Sequence, residues 1–227
     1  MPSLPPFAAI CFDCDSTLSS IEGIDELALR AGCGPAIIPL TTAAMEGRLA
    51  LEEVYARRLA LIRPDRTALD WAGRRYIETI VPGAGETVAT LMGLGKAVHI
   101  VSGGLRQPIA ILAARLGIPG DCVHAVAVRL AADGSYEGYD TGSPLARAGG
   151  KAAICRNIAA RFGAIAMVGD GVTDLEAHEG GAYVVGFGGV VARPAVIAGA
   201  DVFIHGPALT ATLSVLLSPE ERGLATR

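Results

Sequence analysis

The chain has 227 residues, of which 51% are apolar and 5% aromatic, and carries a formal net charge of −4. That length accommodates one large domain, or a core domain with an insert. The acidic balance, with 19 basic residues scattered along the chain, argues against a nucleic-acid binder, which needs basic patches to meet phosphates.

In chain order, Met1-Pro2-Ser3-Leu4-Pro5-Pro6 lacks the charged and apolar regions of a leader. No apolar run approaches the roughly 20 residues that span a bilayer, so no membrane partner is expected. Residues 7–11 are predicted to form a buried strand that ends at Phe12-Asp13-Cys14-Asp15-Ser16-Thr17-Leu18. Residues 19–81 are helical in character, with predicted helices over 22–31, 40–45, 51–61 and 68–80. From residue 82 the pattern alternates. Helices are predicted over 85–94, 106–116, 151–161 and 175–179, and strands over 97–101, 122–129, 165–168, 183–185 and 202–204. Residues 130–139 carry Asp133-Gly134, a hairpin signal. Residues 218–227 lack an apolar pattern and read as a frayed tail.

Short apolar runs alternating with amphipathic helices predict an α/β fold: a Rossmann-like parallel sheet with helices on both faces. Residues 1–18 and 82–227 form the predicted core, and residues 19–81 a helical cap inserted after the first strand. The five cysteines are odd in number and irregularly spaced. They indicate reduced thiols and a cytoplasmic setting.

Asp13 and Asp15 stand one residue apart at a strand exit. Two carboxylates held so close need a cation, and Mg²⁺ favours one or two carboxylates plus phosphate oxygens. A desolvated carboxylate there can also attack phosphorus. An acidic surface loop explains this pair alone equally well. Strand alternation points Cys14 away from both acids. Ser102-Gly103-Gly104 ends another strand and precedes a helix, a place where N–H groups and a hydroxyl meet an anion; an ordinary capping serine is the competing explanation. Lys151 opens a helix after Gly149-Gly150 and can neutralise a phosphate and a nearby carboxylate. Gly169-Asp170-Gly171-Val172-Thr173-Asp174 follows a buried strand. Asp170 is placed to join Asp13 on a metal, and Asp174 to hold its water shell or orient Lys151. An acidic turn explains the last motif, but not four polar motifs at matching strand ends.

These motifs, in this order, resemble the haloacid dehalogenase superfamily of phosphotransferases. The closer resemblance is to its phosphoserine phosphatase family. It is carried by Asp15-Ser16-Thr17-Leu18, Glu22-Gly23-Ile24-Asp25-Glu26-Leu27-Ala28, Val101-Ser102-Gly103-Gly104, Gly169 to Ala177, and Gly186-Phe187-Gly188-Gly189. The resemblance runs over nearly the whole chain, about residues 9–217. It implies a Mg²⁺-dependent hydrolase that converts O-phosphoserine to serine and phosphate through an aspartyl-phosphate, the last step of serine biosynthesis. In that scheme Asp13 is the nucleophile and Asp15 the acid and base. Ser102, Gly103, Lys151 and Thr173 bind the phosphoryl group. Asp13, Asp15 through its carbonyl, and Asp170 hold the metal, with Asp174 in support. Glu22 meets the substrate ammonium, Arg58 its carboxylate, and Met45 packs nearby. Two departures are visible: Leu51 replaces an aromatic residue of some relatives, and Thr173 replaces an Asn. The rival expectations are a phosphatase or phosphotransferase for another small phosphomonoester, such as phosphohomoserine or a sugar phosphate, and a non-catalytic binding module. The protein is expected to be a monomer or homodimer.

Overall fold

The computed structural model describes residues 6–46 and 48–225, except for the side chain of Leu51. The expectations for residues 1–5, for the last two residues of the tail and for the Leu51 pocket wall therefore lie outside the described residues.

The chain opens with β1 (Ala9–Phe12). Four helices follow: α1 (Gly23–Arg30), α2 (Gly34–Met45), α3 (Leu51–Ile62) and α4 (Arg66–Glu78). Next come α5 (Ala84–Gly93), β2 (Ala97–Leu105), α6 (Arg106–Leu116) and β3 (Val123–Val126). A hairpin of β4 (Val128–Leu130) and β5 (Tyr136–Tyr139) leads to α7 (Gly150–Phe162). Then β6 (Ile165–Gly169), α8 (Val172–Leu175) and β7 (Ala182–Phe187) run in sequence. The chain closes with α9 (Pro194–Gly199), β8 (Val202–Ile204), α10 (Leu213–Leu216) and α11 (Pro219–Ala225).

The main sheet has the order β3-β2-β1-β6-β7-β8, and its pairs are all parallel. This is the predicted α/β class. β1 is buried at all four positions because both faces are covered. Ile10 and Phe12 join an apolar cluster with Val88 and Leu91 of α5 and Ile109 and Leu112 of α6. Ala9 and Cys11 face the other way, into a cluster with Cys155 and Ile158 of α7. That second cluster continues without a break into Leu27, Ile37, Tyr55, Leu59 and Leu69 of the helical insert. The chain leaves β1 toward β2 on one side and returns to β6 on the other. The carboxyl end of β1 is thus a switch point, where sheets of this kind bind ligands.

Several boundaries differ from the sequence expectation, each for a local reason. α2 starts at Gly34, six residues before the predicted helix at 40, despite Pro35 and Pro39. Pro35 occupies the first turn, where its missing N–H is not needed. Pro39 lies inside the helix, which packs the fully buried Ile37. β2 runs on through Ser102-Gly103-Gly104 to Leu105, with a register shift against β3 that the glycines accommodate. The predicted strand 122–129 breaks in two at Ala127. The Gln107 side chain takes over there, donating to the Val128 carbonyl at 2.6 Å and accepting its N–H at 3.0 Å. The helix predicted at 175–179 is a short α-turn over Val172–Leu175 followed by a 3-10 turn over Glu176–Gly180. The tail is not frayed over its described part. Ser218 and Glu221 cap α11 reciprocally, and Glu221 pairs with the buried Lys96 at 2.6 Å.

Candidate active site

The turn after β1 places two acids in different environments. The Asp13 backbone N–H donates to the Val168 carbonyl at 2.9 Å, which extends the β1–β6 pairing by one residue. The Cys14 carbonyl then accepts the N–H groups of Thr17, Leu18 and Ser19 and closes a tight turn. Asp13 Oδ1 accepts the Cys14 N–H at 2.7 Å, and Oδ2 meets Lys151 Nζ at 2.7 Å. The Cys14 thiol is fully buried in the apolar core.

Asp15 Oδ1 accepts two hydrogen bonds, from the Gly23 N–H and the Tyr76 hydroxyl, both at 2.7 Å. Burial, then the charge of Asp13, push its pKa up to about 6, against the opposing pull of those two donors and Lys151. Gly23 is needed for this contact, since a Cβ there would lie 2.0 Å from the Tyr76 hydroxyl oxygen. Nothing in the helical pattern of residues 68–80 marks Tyr76 as a site residue. In Tyr76→Phe the Asp15 pKa is expected to rise above its present value, because the charged carboxylate loses a donor. NMR titration of the Asp15 carboxyl carbon checks this, and an unchanged or lower value contradicts it.

Lys151 lies in the first turn of α7 and is buried. Its Nζ bridges Asp13 Oδ2 and Asp174 Oδ1, at 2.7 and 2.6 Å. Burial works against its charge, but the two carboxylates outweigh burial and hold its pKa above the ordinary lysine value. Asp174 Oδ2 accepts the Gly171 N–H at 2.9 Å. Burial pushes the Asp174 carboxyl up to about 7, with Lys151 opposing. A Cβ at Gly169 would stand 2.1 Å from the Asp174 carboxyl carbon, so the strand must end in glycine for Asp174 to sit here. Asp170 accepts from Thr17 Oγ1 at 3.0 Å, and Arg193 Nη1 donates to both its carbonyl and its Oδ2. Arg193, just before α9, carries no sequence signal that tied it to this site.

Asp13, Asp170 and Asp174 are all buried, and each offers an oxygen within 4.8 Å of the others. Asp15 adds a fourth carboxylate, against the two cations Lys151 and Arg193. An all-oxygen donor set with surplus negative charge fits a hard divalent cation.

The cavity over this cluster is lined by Asp13, Asp15, Ser102, Gly103, Lys151 and Thr173 on the sheet side, and by Glu22, Met45 and Arg58 on the insert side. Asp170 and Asp174 lie beneath it, fully buried. The structure therefore brings all eleven sequence-predicted site residues into one region. Glu22 Oε1 accepts from Ser16 Oγ at 2.9 Å, and burial, then Asp15, push its pKa up to about 8. Arg58 is 6% exposed, and its Nη1 reaches Thr41 Oγ1 at 3.4 Å. Thr41 in turn donates to Asp25 Oδ1 at 2.6 Å. Thr41 and Asp25 thus orient Arg58; the sequence reading assigned them no such part.

Residues 7–180 match the family of haloacid dehalogenase-like hydrolases. The chain belongs to that family. This hydrolase is 38% identical over 190 residues to the phosphoserine phosphatase of Mus musculus, covering 83% of this chain and 84% of that one. It is 39% identical over 197 residues to the chloroplastic phosphoserine phosphatase of Arabidopsis thaliana, covering 85% and 67%. Among solved structures, a substrate-bound phosphoserine phosphatase complex superposes with a TM-score of 0.81 at 28% identity, covering 94% of this chain and all of that one. A phosphoserine phosphohydrolase-like protein from Francisella tularensis subsp. tularensis SCHU S4 also gives 0.81, at 26% identity, covering 91% and 99%. This hydrolase is a phosphatase, similar over most of its length to phosphoserine phosphatases. Among the described residues no helix is long and apolar enough to cross a membrane.

Proposed function

We propose that this phosphatase hydrolyses O-phosphoserine to serine and phosphate. The observation that carries the reading is the charge layout of one cavity. Lys151 and Ser102 stand at the end with the acids, while a half-buried acid, Glu22, and a buried guanidinium, Arg58, line the insert side. A phosphorylated amino acid presents a matching phosphate, ammonium and carboxylate, and a guanidinium suits a carboxylate. The names of the relatives point the same way.

Asp13 is the nucleophile in this reading. Its carboxylate oxygen attacks phosphorus while the bond from phosphorus to the seryl oxygen breaks, and Asp15 donates the proton that the seryl oxygen takes up. Asp15, now ionised, draws a proton from water. The water oxygen then attacks phosphorus and breaks the bond to Asp13, releasing phosphate. A carboxyl poised near pH 6 suits both halves of that exchange. Lys151 offsets charge on the phosphoryl oxygens, with Ser102, Gly103 and Thr173 around them. Asp13, Asp170 and the Asp15 carbonyl would hold Mg²⁺, with Asp174 in support; Mg²⁺ supplies charge neutralisation at the phosphoryl oxygens. Arg193 and a cation compete for the same Asp170 carboxylate. Residues 19–81 act as the cap that excludes water and selects the substrate. The setting proposed is cytoplasmic, at the closing step of serine formation.

Phosphate release from O-phosphoserine, a sugar phosphate and p-nitrophenyl phosphate, with Mg²⁺ and with chelator, tests the reading. Chelation should abolish turnover and Mg²⁺ restore it. Arg58→Ala should lower kcat/KM for O-phosphoserine by about 100-fold while sparing p-nitrophenyl phosphate. Equal losses on both substrates refute the amino-acid assignment.

A further inference from the structure

We propose that Tyr55 is a further substrate-binding residue, whose hydroxyl donates a hydrogen bond to the substrate carboxylate beside Arg58. The inference rests on the amino-acid phosphate reading above and adds a second, uncharged determinant to it.

Tyr55 lies three residues before Arg58 on α3, so both side chains leave one face of that helix within a turn. Both line the cavity, and Tyr55 is only 3% exposed. Its hydroxyl has no hydrogen-bond partner among the described residues, and neither does Arg58 Nε. Buried polar atoms are almost always paired, so two orphans on one helix turn against one cavity need a common explanation. Both are donors: the guanidinium nitrogen has no acceptor capacity, and the phenol offers its proton. A carboxylate is the acceptor that serves two donors at once and also balances the arginine charge.

The tyrosine is held for this task. Its ring centroid lies 5.1 Å from that of Tyr139 on β5, and the Arg58 guanidinium carbon sits 5.4 Å from the ring centre. Those contacts hold the ring and leave its hydroxyl without a partner among the described residues. Burial pushes the phenol above its ordinary pKa, so the group keeps the proton it donates. A purely structural tyrosine in this place would do better as phenylalanine, which makes the same ring contacts without an orphaned hydroxyl.

The test is Tyr55→Phe, which removes one oxygen and keeps the ring. kcat/KM is measured on O-phosphoserine and on O-phosphoethanolamine, which has the ammonium and phosphate but no carboxylate. The expected result is a loss of about tenfold on O-phosphoserine and no change on O-phosphoethanolamine. Parallel losses on both substrates, or no loss on either, overturn the role of Tyr55 while wild-type preference for O-phosphoserine still stands. A wild-type protein that does not distinguish the two substrates overturns the amino-acid reading, and the Tyr55 inference with it.

Discussion

Asp13→Asn is expected to lower kcat on O-phosphoserine by at least about 10⁴-fold, since in the proposed reaction Asp13 is the nucleophile and its loss removes the reaction path rather than one contact. The fold should survive. Asp13 is 2% exposed and packed against Asp15, Asp174 and Lys151, so a neutral isostere relieves repulsion among buried carboxylates. Lys151 keeps Asp174 as a partner at 2.6 Å. The charge of Asp13 also raises the Asp15 pKa, so in the variant that pKa should fall below about 6. Steady-state rates, a melting curve and the Asp15 titration together check these points. Turnover within tenfold of wild type would remove Asp13 from the nucleophile role.

Lys151→Ala is expected to be costly on both axes. The side chain is buried and is the one described lysine that bridges two site carboxylates. Its removal leaves Asp13 and Asp174 facing each other without a cation, and stripping one partner from a buried ion pair costs about 3–5 kcal/mol. The electrostatic loss at the phosphoryl group should lower kcat by a further 10²–10³-fold or so. The sign on Asp174 follows: Lys151 holds its pKa down, so in the variant it should climb above about 7. Melting temperature and kcat, each with and without added Mg²⁺, read the two effects separately. A variant as stable and as active as wild type would show that Lys151 balances no charge here.

Much of the site was legible in the sequence because strand ends announce themselves. Asp13, Ser102, Lys151 and Asp170 each follow an apolar run or open a helix, and in a parallel sheet those positions converge on one edge. Glu22 and Arg58 were readable only through the family resemblance, since a helix with two acids or two arginines looks like any solvated face. Tyr76, Thr41 and Arg193 were not legible at all. Each acts across a long stretch of chain, Tyr76 on Asp15 and Arg193 on Asp170, and no local pattern encodes such a meeting. The frayed tail was misread for the opposite reason. Ser218-Pro219-Glu220-Glu221 carries a local capping pair, and a reading from the missing apolar stripe alone does not detect it.

By itself the sequence determined the alternating parallel core and the identity of the acids, the hydroxyl and the lysine that the core gathers. Those are properties of hydrophobic period and of residue chemistry at strand ends, both local. Only the tertiary structure decided what those groups are electrostatically. It made Asp15 a carboxyl near pH 6 by burying it beside Asp13, with the Tyr76 hydroxyl donating against that rise, and it set Arg58 with an unpartnered nitrogen next to an unpartnered Tyr55 hydroxyl. Desolvation and pairing depend on which distant side chains close over a group, and that is fixed only when the chain packs.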